Sequence, residues 1–283
     1  RHAHRLWADA TFGFMGRSPD HVPGFITGFA MRPDLFAQHG QRFAENIVRY
    51  HGWLRDEDLY AAYVIIPPQI DRSRPAHQQE DPHLYAGVIE ERGDGIVVSG
   101  AQMLGTGGAI ANEMFMSWIG PLVPGDENYA ISIAVPVASP GLRLIVRRPY
   151  AEGATSVFDY PLSSRYDETD ALVIFDRVFV PWERVFVYKD VRLTRAQFYE
   201  TPAHVLGNFQ AQVRFASKAQ FLAGVALRIA EAVGVDKIPH TVTMLGELAS
   251  YCAMSEGLVL ASEAECVHDP RGFVHHGHRR PSH

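Results

Sequence analysis

Along the chain the spacing of apolar residues changes character twice. Over residues 35–50, Leu35, Phe36, His39, Phe43, Ile47 and Tyr50 fall mainly at steps of three and four, which lines one face of a helix. Pro33 followed by Asp34 predicts where that helix begins, with Asp34 as its cap. Residues 1–7 already read as the middle of another helix. Between the two lies Gly16-Arg17-Ser18-Pro19-Asp20-His21-Val22-Pro23-Gly24, where two prolines and bounding glycines predict a loop.

From about residue 59 to 188 the pattern shortens to β-rich runs punctuated by Gly, Pro and Asp. The predicted strands are 63–66, 85–91, 95–103, 114–119, 130–136, 142–146, 171–180 and 184–187. Turn signals such as Arg92-Gly93-Asp94-Gly95 join them as hairpins. Runs this short and this close together predict one compact β-barrel or sandwich. After Thr194 the chain turns helical again, over 203–233 and 239–266, both rich in Ala and Leu and nearly free of interior Pro. Helices, then sheet, then helices define an α+β class, and the expected division is 1–58, 59–193 and 194–283. No internal repeat interrupts this order.

Composition changes the picture chiefly by exclusion. With 283 residues, 47% hydrophobic and 20% charged, the chain can bury a large core. A formal net charge of -6 and no block of Lys and Arg argue against nucleic acid, whose affinity for proteins comes largely from clustered cations. No run reaches the roughly 18 apolar residues of a membrane span, and the amino terminus lacks a secretory pattern, so a cytoplasmic location is expected. Cys252 and Cys266 are too few for a disulfide framework or a thiolate cluster, so redox chemistry requires a borrowed cofactor. The chain starts without Met and ends in a histidine-rich stretch, 274–283, without apolar period. Truncation at both ends is expected, and the tail, lacking the supporting shell a metal site needs, is assigned no function.

The stretch Phe158-Asp159-Tyr160-Pro161-Leu162-Ser163-Ser164-Arg165-Tyr166-Asp167-Glu168, followed by Phe175-Asp176-Arg177-Val178-Phe179-Val180-Pro181-Trp182-Glu183-Arg184-Val185-Phe186, carries the most specific information in the chain. It resembles the central signature of the 4-hydroxyphenylacetate 3-monooxygenase family, the oxygenase components of two-component, reduced-flavin-dependent phenol hydroxylases. The resemblance extends in order to Met15-Gly16-Arg17-Ser18-Pro19-Asp20, Pro68-Gln69-Ile70-Asp71-Arg72, Gly100-Ala101-Gln102-Met103-Leu104-Gly105-Thr106, and Asn208-Phe209-Gln210 with Arg214, Phe215 and Lys218. It implies the acyl-CoA dehydrogenase-like fold. It also implies FAD taken as FADH2 from a separate NAD(P)H:flavin reductase, dioxygen as co-substrate, and ortho-hydroxylation of a phenol through a flavin C4a-hydroperoxide. A homo-oligomer, a dimer or a dimer of dimers, is implied as well.

Such chemistry leaves the protein three tasks: to exclude water, orient the ring and favour phenolate character. Arg17 lies in the loop where the family places an arginine near the phenol hydroxyl, and its permanent charge suits a phenolate. Pairing with Asp20 is the alternative for this residue, and Asp20 could also orient it. Family members acting on 4-hydroxyphenylacetate usually have Tyr four residues after this Arg and His on the first β-domain strand. Here those positions hold His21 and Tyr63, an exchange that leaves the substrate open. His21 is the better proton acceptor of the two by its ordinary pKa.

Gln69 and Arg72, just beyond a Pro-Pro stop, are candidate flavin contacts, as is Thr106 within Gly105-Thr106-Gly107-Gly108. Those glycines lack the strand-to-helix setting of a dinucleotide fingerprint. Arg214 and Lys218, one helical turn apart, are candidates for FAD phosphates, across a subunit interface if the protein assembles. Ser163, Ser164 and Arg165 resemble the family's substrate-covering loop. Asp167, Glu168 and Asp170 read as capping carboxylates of a turn, with no metal expected, and Trp182 as structural. The competing readings are an acyl-CoA dehydrogenase-like flavoenzyme, in whose chemistry the Arg17 loop has no role, and an inactive flavin-binding or oligomerising remnant.

Overall fold

The computed structural model describes residues 1–269 and 273–276. The His-rich stretch beyond His276 lies outside the described residues. Four helices come first: α1 (His2–Ala10), α2 (His21–Ala30), α3 (Pro33–Ala37) and α4 (Gln41–Asp56). Eight strands follow, β1 (Ala61–Val64), β2 (Gly87–Glu91), β3 (Gly95–Gln102), β4 (Glu113–Met116), β5 (Ser132–Pro136), β6 (Leu142–Val146), β7 (Ala171–Pro181) and β8 (Val185–Val187). Helices α5 (Val191–Tyr199), α6 (Ala203–Val233) and α7 (Pro239–Ala264) succeed them, and a short antiparallel pair, β9 (Val267–His268) with β10 (Val274–His275), comes last. Residues 274–275, part of the stretch without apolar period, thus form a strand, and His276 stacks on Phe209.

The strands form two four-stranded sheets, ordered β1-β4-β5-β8 and β2-β3-β7-β6. In the first, β1 runs parallel to β4 and the remaining pairs are antiparallel; the second is antiparallel throughout. One continuous apolar core contains Val64, Met114 and Ile133 from the first sheet and Ile96, Val98, Val173 and Phe175 from the second. The eight runs therefore form a sandwich, because each sheet has an apolar face that only the other can cover. Phe29 of α2 packs on Phe36 of α3 and on Phe115 of β4, which stacks in turn on Phe186 of β8. The same core thus anchors the first helices against the sheet. Trp182 is structural as expected: its indole N–H reaches the carbonyls of Arg92 and Gly93, and the Arg42 guanidinium lies 4.1 Å over its ring.

Three local expectations are corrected. The loop expected over 16–24 ends at Asp20, because Pro23 falls in the first turn of α2, where its missing N–H costs no helical hydrogen bond. Asp34 does not cap α3; it sits one residue inside, after Pro33, and pairs with Arg32 at 2.7 Å. The helix expected over 35–50 is broken into α3 and α4 at Gly40, whose φ of 151° is one that glycine tolerates.

Helices α2 and α6 approach more closely than side chains of ordinary size allow. A Cβ on Gly28 would lie 2.3 Å from the Ala203 backbone, and one on Gly207 would lie 2.5 Å from the Phe25 ring. This crossing brings the start of α2 against the second turn of α6.

Candidate active site

Arg17 is held by its own peptide groups on both sides. The Glu168 carboxylate accepts hydrogen bonds from the N–H of Gly16, at 2.6 Å, and of Arg17. The Tyr60 hydroxyl donates to the Arg17 carbonyl at 2.9 Å. Burial, reinforced by the Glu168 charge, pushes the Tyr60 pKa up to about 12, so the hydroxyl keeps its proton and remains a donor. Tyr60 itself is positioned by a tight loop: Gly107, at φ 73°, leaves no room for a Cβ, which would lie 2.2 Å from the Tyr60 oxygen.

With its backbone pinned, the Arg17 side chain carries no ion pair or hydrogen bond among the described residues; its guanidinium carbon lies 5.4 Å from the Tyr63 ring centre. The Asp20 pairing considered from sequence does not form. Asp20 accepts instead from Ser18 and pairs with His4 Nε2 at 2.5 Å. Tyr63 and His21 face each other with ring centres 5.7 Å apart, and Phe25 stands edge-on to both. Arg17, His21 and Tyr63 are therefore one cluster.

His21 is only 6% exposed, and its Nε2 is buried without a hydrogen-bond partner among the described residues. Burial first, and then the Arg17 charge, lower its pKa to about 4 against the opposing effects of Gln210 and Asp20. At neutral pH His21 is thus a neutral hydrogen-bond acceptor or donor. Burial makes His21 a weaker proton acceptor than its ordinary pKa implies.

Arg214 and Lys218 reach the same cluster from α6. Arg214 donates to the Gly13 carbonyl at 3.3 Å, and its pKa is lowered by burial and by Arg17. The Lys218 ammonium lies 4.7 Å over the Phe14 ring, and burial with the Arg214 charge lowers its pKa. Like charges forced together in this way favour an incoming anion. Thr106 donates to Asp170, two residues beyond Glu168, at 2.5 Å.

Gln69 and Arg72 stand elsewhere, on a cavity of about 660 Å³ lined also by Ile65, Tyr85, Trp118 and Asp126. Ile65 follows Tyr63 on the same extended segment, so the chain leads from the cluster directly to this cavity. Arg72 is exposed and has no ion-pair partner among the described residues, whereas its neighbour Arg74 pairs with Asp71 at 3.3 Å.

Ser163, Ser164 and Arg165 form turns between β6 and β7, with the Ser164 hydroxyl donating to the Tyr160 carbonyl. No hydrogen bond joins these three to Arg17, His21 or Tyr63 among the described residues. Their connection runs through neighbours, because the Tyr166 hydroxyl donates to the Ala10 carbonyl at 3.1 Å and Glu168 holds the Arg17 loop. The carboxylates 167, 168 and 170 do not cap their own turn. Asp167 pairs with Arg147 and accepts from the Tyr150 N–H, Asp170 accepts from Thr106, and Glu168 reaches a loop far away in sequence. Among the described residues no group of His, Cys, Asp and Glu could hold a metal ion.

Family models for the "4-hydroxyphenylacetate 3-hydroxylase N terminal" and "C terminal" regions match residues 1–187 and 194–277. The chain belongs to the 4-hydroxyphenylacetate 3-hydroxylase family. It is 36% identical over 272 residues to a 4-hydroxyphenylacetate 3-monooxygenase oxygenase component of Thermus thermophilus, covering 96% of this chain and 55% of that protein. A 4-nitrophenol 2-monooxygenase oxygenase component of Rhodococcus sp is 34% identical, with 89% of this chain and 47% of that one covered. Among solved structures, a 4-hydroxyphenylacetate 3-monooxygenase oxygenase component complexed with FAD and 4-hydroxyphenylacetate superposes with a TM-score of 0.90 at 36% identity. That match covers 97% of this chain and 56% of that one. The chain spans about half the length of the curated relatives it matches.

Within this family member, four contributors to the cluster were not identified from sequence: Tyr60, Ser18, Gln210 and Glu168 as a latch. Gln210 had a readable signal, since it precedes Arg214 by four residues and Lys218 by eight on one helix face. Glu168 and Tyr60 had none, because their partners are distant in the chain.

Proposed function

We propose that this chain is the phenol-binding part of a flavin-dependent monooxygenase oxygenase component that ortho-hydroxylates a phenol. The observation that carries this reading is the unpaired Arg17 guanidinium beside Tyr63 and a buried, neutral His21 with a free Nε2. A cation with no partner among the described residues and a neutral acceptor next to it suit one hydroxyl group, the acceptor meeting its proton and the cation its oxygen. Charge on that oxygen passes into the ring and makes the ortho carbon nucleophilic. Arg214 and Lys218 add positive potential that stabilises negative charge as it grows on that oxygen during the reaction. Glu168 and Tyr60 orient Arg17 without touching the substrate.

The residues present also fit a flavin. The cavity between residues 65–76 and 118–126 offers Trp118 and Tyr85 as ring surfaces, Gln69 as an amide and Arg72 as a free cation for phosphate. Reduced FAD, when bound, would supply the electrons that activate dioxygen for transfer to the ring. In this reading Ser163, Ser164 and Arg165 belong to a lid that excludes water, and Thr106 stabilises its base through Asp170.

A phenolic small molecule and an NAD(P)H:flavin reductase are the implied partners, and a cytoplasmic setting suits that supply. Among the described residues no helix is long and apolar enough to cross a membrane. A homo-oligomer, dimer or tetramer, is supported by apolar side chains left exposed on α6 and α7, including Ile229, Val233, Met244, Tyr251 and Leu258. The division 1–58, 59–193 and 194–283 is part of this proposal. Replacing Arg17 by Ala tests the site: phenol binding should weaken about tenfold or more, the scale of a charge-assisted hydrogen bond, while reduced-FAD affinity stays unchanged. Equal loss of both would make Arg17 a structural residue.

A further inference from the structure

We propose that Gln210 is a positioning residue that fixes His21 as its Nδ1–H tautomer, making Nε2 the acceptor for the hydroxyl of a neutral phenol. The phenol part rests on the function proposed above; the tautomer rests on a directed chain of hydrogen bonds. That chain starts at Asp20. Burial alone would raise its carboxyl pKa, but hydrogen bonds from His4 and Ser18 bring it below the usual value, so it is a carboxylate and can only accept.

Ser18 therefore gives its single hydroxyl proton to Asp20, and its oxygen must accept from Gln210, 2.8 Å away. This orients the Gln210 amide with its NH2 toward Ser18. The Gly16 carbonyl, another obligate acceptor, faces the same nitrogen at 3.5 Å. Gln210 Oε1 then points at His21 Nδ1, at 3.2 Å, and can only accept there. Nδ1 must carry the ring proton. In a neutral imidazole that leaves Nε2 with a lone pair.

Neutrality follows from the surroundings. Arg17 and Asp20 face His21 from the loop, Phe25 from α2, Tyr63 from β1, and Gln210 and Arg214 from α6; burial and the two arginines outweigh Asp20 and Gln210. Nε2, on the far side of the ring from Gln210, is buried and has no partner among the described residues, a state that normally costs stability unless a ligand supplies the proton. An exchanged pair, with His on the loop and Tyr on the strand, thus keeps an acceptor in the site whose polarity is set from α6.

The test is long-range 1H–15N correlation spectroscopy on the whole chain labelled at histidine nitrogens, at pH 7. His21 should show a protonated Nδ1 and a bare Nε2, and added phenol should shift Nε2 more than Nδ1. Gln210→Leu should abolish the tautomer preference and weaken phenol binding about fivefold, the worth of one net hydrogen bond. Gln210→Glu, which keeps an acceptor at Nδ1, should retain the tautomer and raise the His21 titration midpoint, which guards against misfolding of the leucine variant. A bare Nδ1 in the unaltered protein, or a tautomer preference that survives in folded Gln210→Leu, overturns the role of Gln210. The expected tautomer with an Nε2 indifferent to phenol overturns the phenol contact alone and leaves the hydrogen-bond chain standing.

Discussion

Acidification should weaken the fold through His21 at pH values where most carboxylates are still ionised. The unfolded side chain titrates near 6.5 and the folded one near 4, because burial and Arg17 disfavour the imidazolium. Between those values the unfolded chain binds a proton that the folded chain refuses, so stability falls as pH falls. The contribution is fully present above pH 6.5, declines by about 2 kcal/mol at pH 5, and levels off below pH 4 at a loss of about 3 kcal/mol. Urea unfolding at pH 7 and pH 5 measures this, with His21→Asn as the non-titrating control that retains every other ionisable group. The unaltered protein should lose about 2 kcal/mol more than the variant over that interval. Identical pH slopes for the two would refute a buried, neutral His21 and with it the electrostatic description of the site.

Other consequences can be checked separately. Glu168→Ala removes the acceptor of two backbone N–H groups; we expect a loss of about 2–4 kcal/mol in urea unfolding and weaker phenol binding, since Arg17 is no longer held. Gly28→Ala places a methyl group 2.3 Å from backbone atoms of Ala203, which cannot swing away, so thermal melts should show a destabilisation of about 1–3 kcal/mol. Arg72→Ala touches an exposed side chain; reduced-FAD affinity should fall and become less sensitive to salt, with the melting temperature unchanged.

The elements were more legible than the contacts. Helix α6 runs over the expected 203–233 because Gly234, at φ 76°, stops it where the apolar pattern also ends. Eight strands were expected and eight make the sandwich, because turn residues and short apolar runs mark them locally. The beginning of α2 was misread since a proline in a first helical turn looks, in sequence, like one in a loop. Arg17, His21 and Tyr63 could be named together through a resemblance, while the residues that orient them could not. Glu168 carried a local role as plausible as its real one, and only the folded chain shows that it reaches Gly16 and Arg17. The pKa of His21 was likewise invisible, because it depends on burial beneath α6 and on a charge from the neighbouring loop.

The most direct test of the proposed activity supplies the intact protein with chemically reduced FAD, 18O-labelled dioxygen and a panel of para-substituted phenols, and follows products by mass spectrometry. An ortho-hydroxylated product carrying one labelled oxygen is expected, with its yield reduced about tenfold or more in Arg17→Ala. A protein that binds reduced FAD yet hydroxylates none of the phenols, or an Arg17→Ala variant as productive as the unaltered chain, would contradict it.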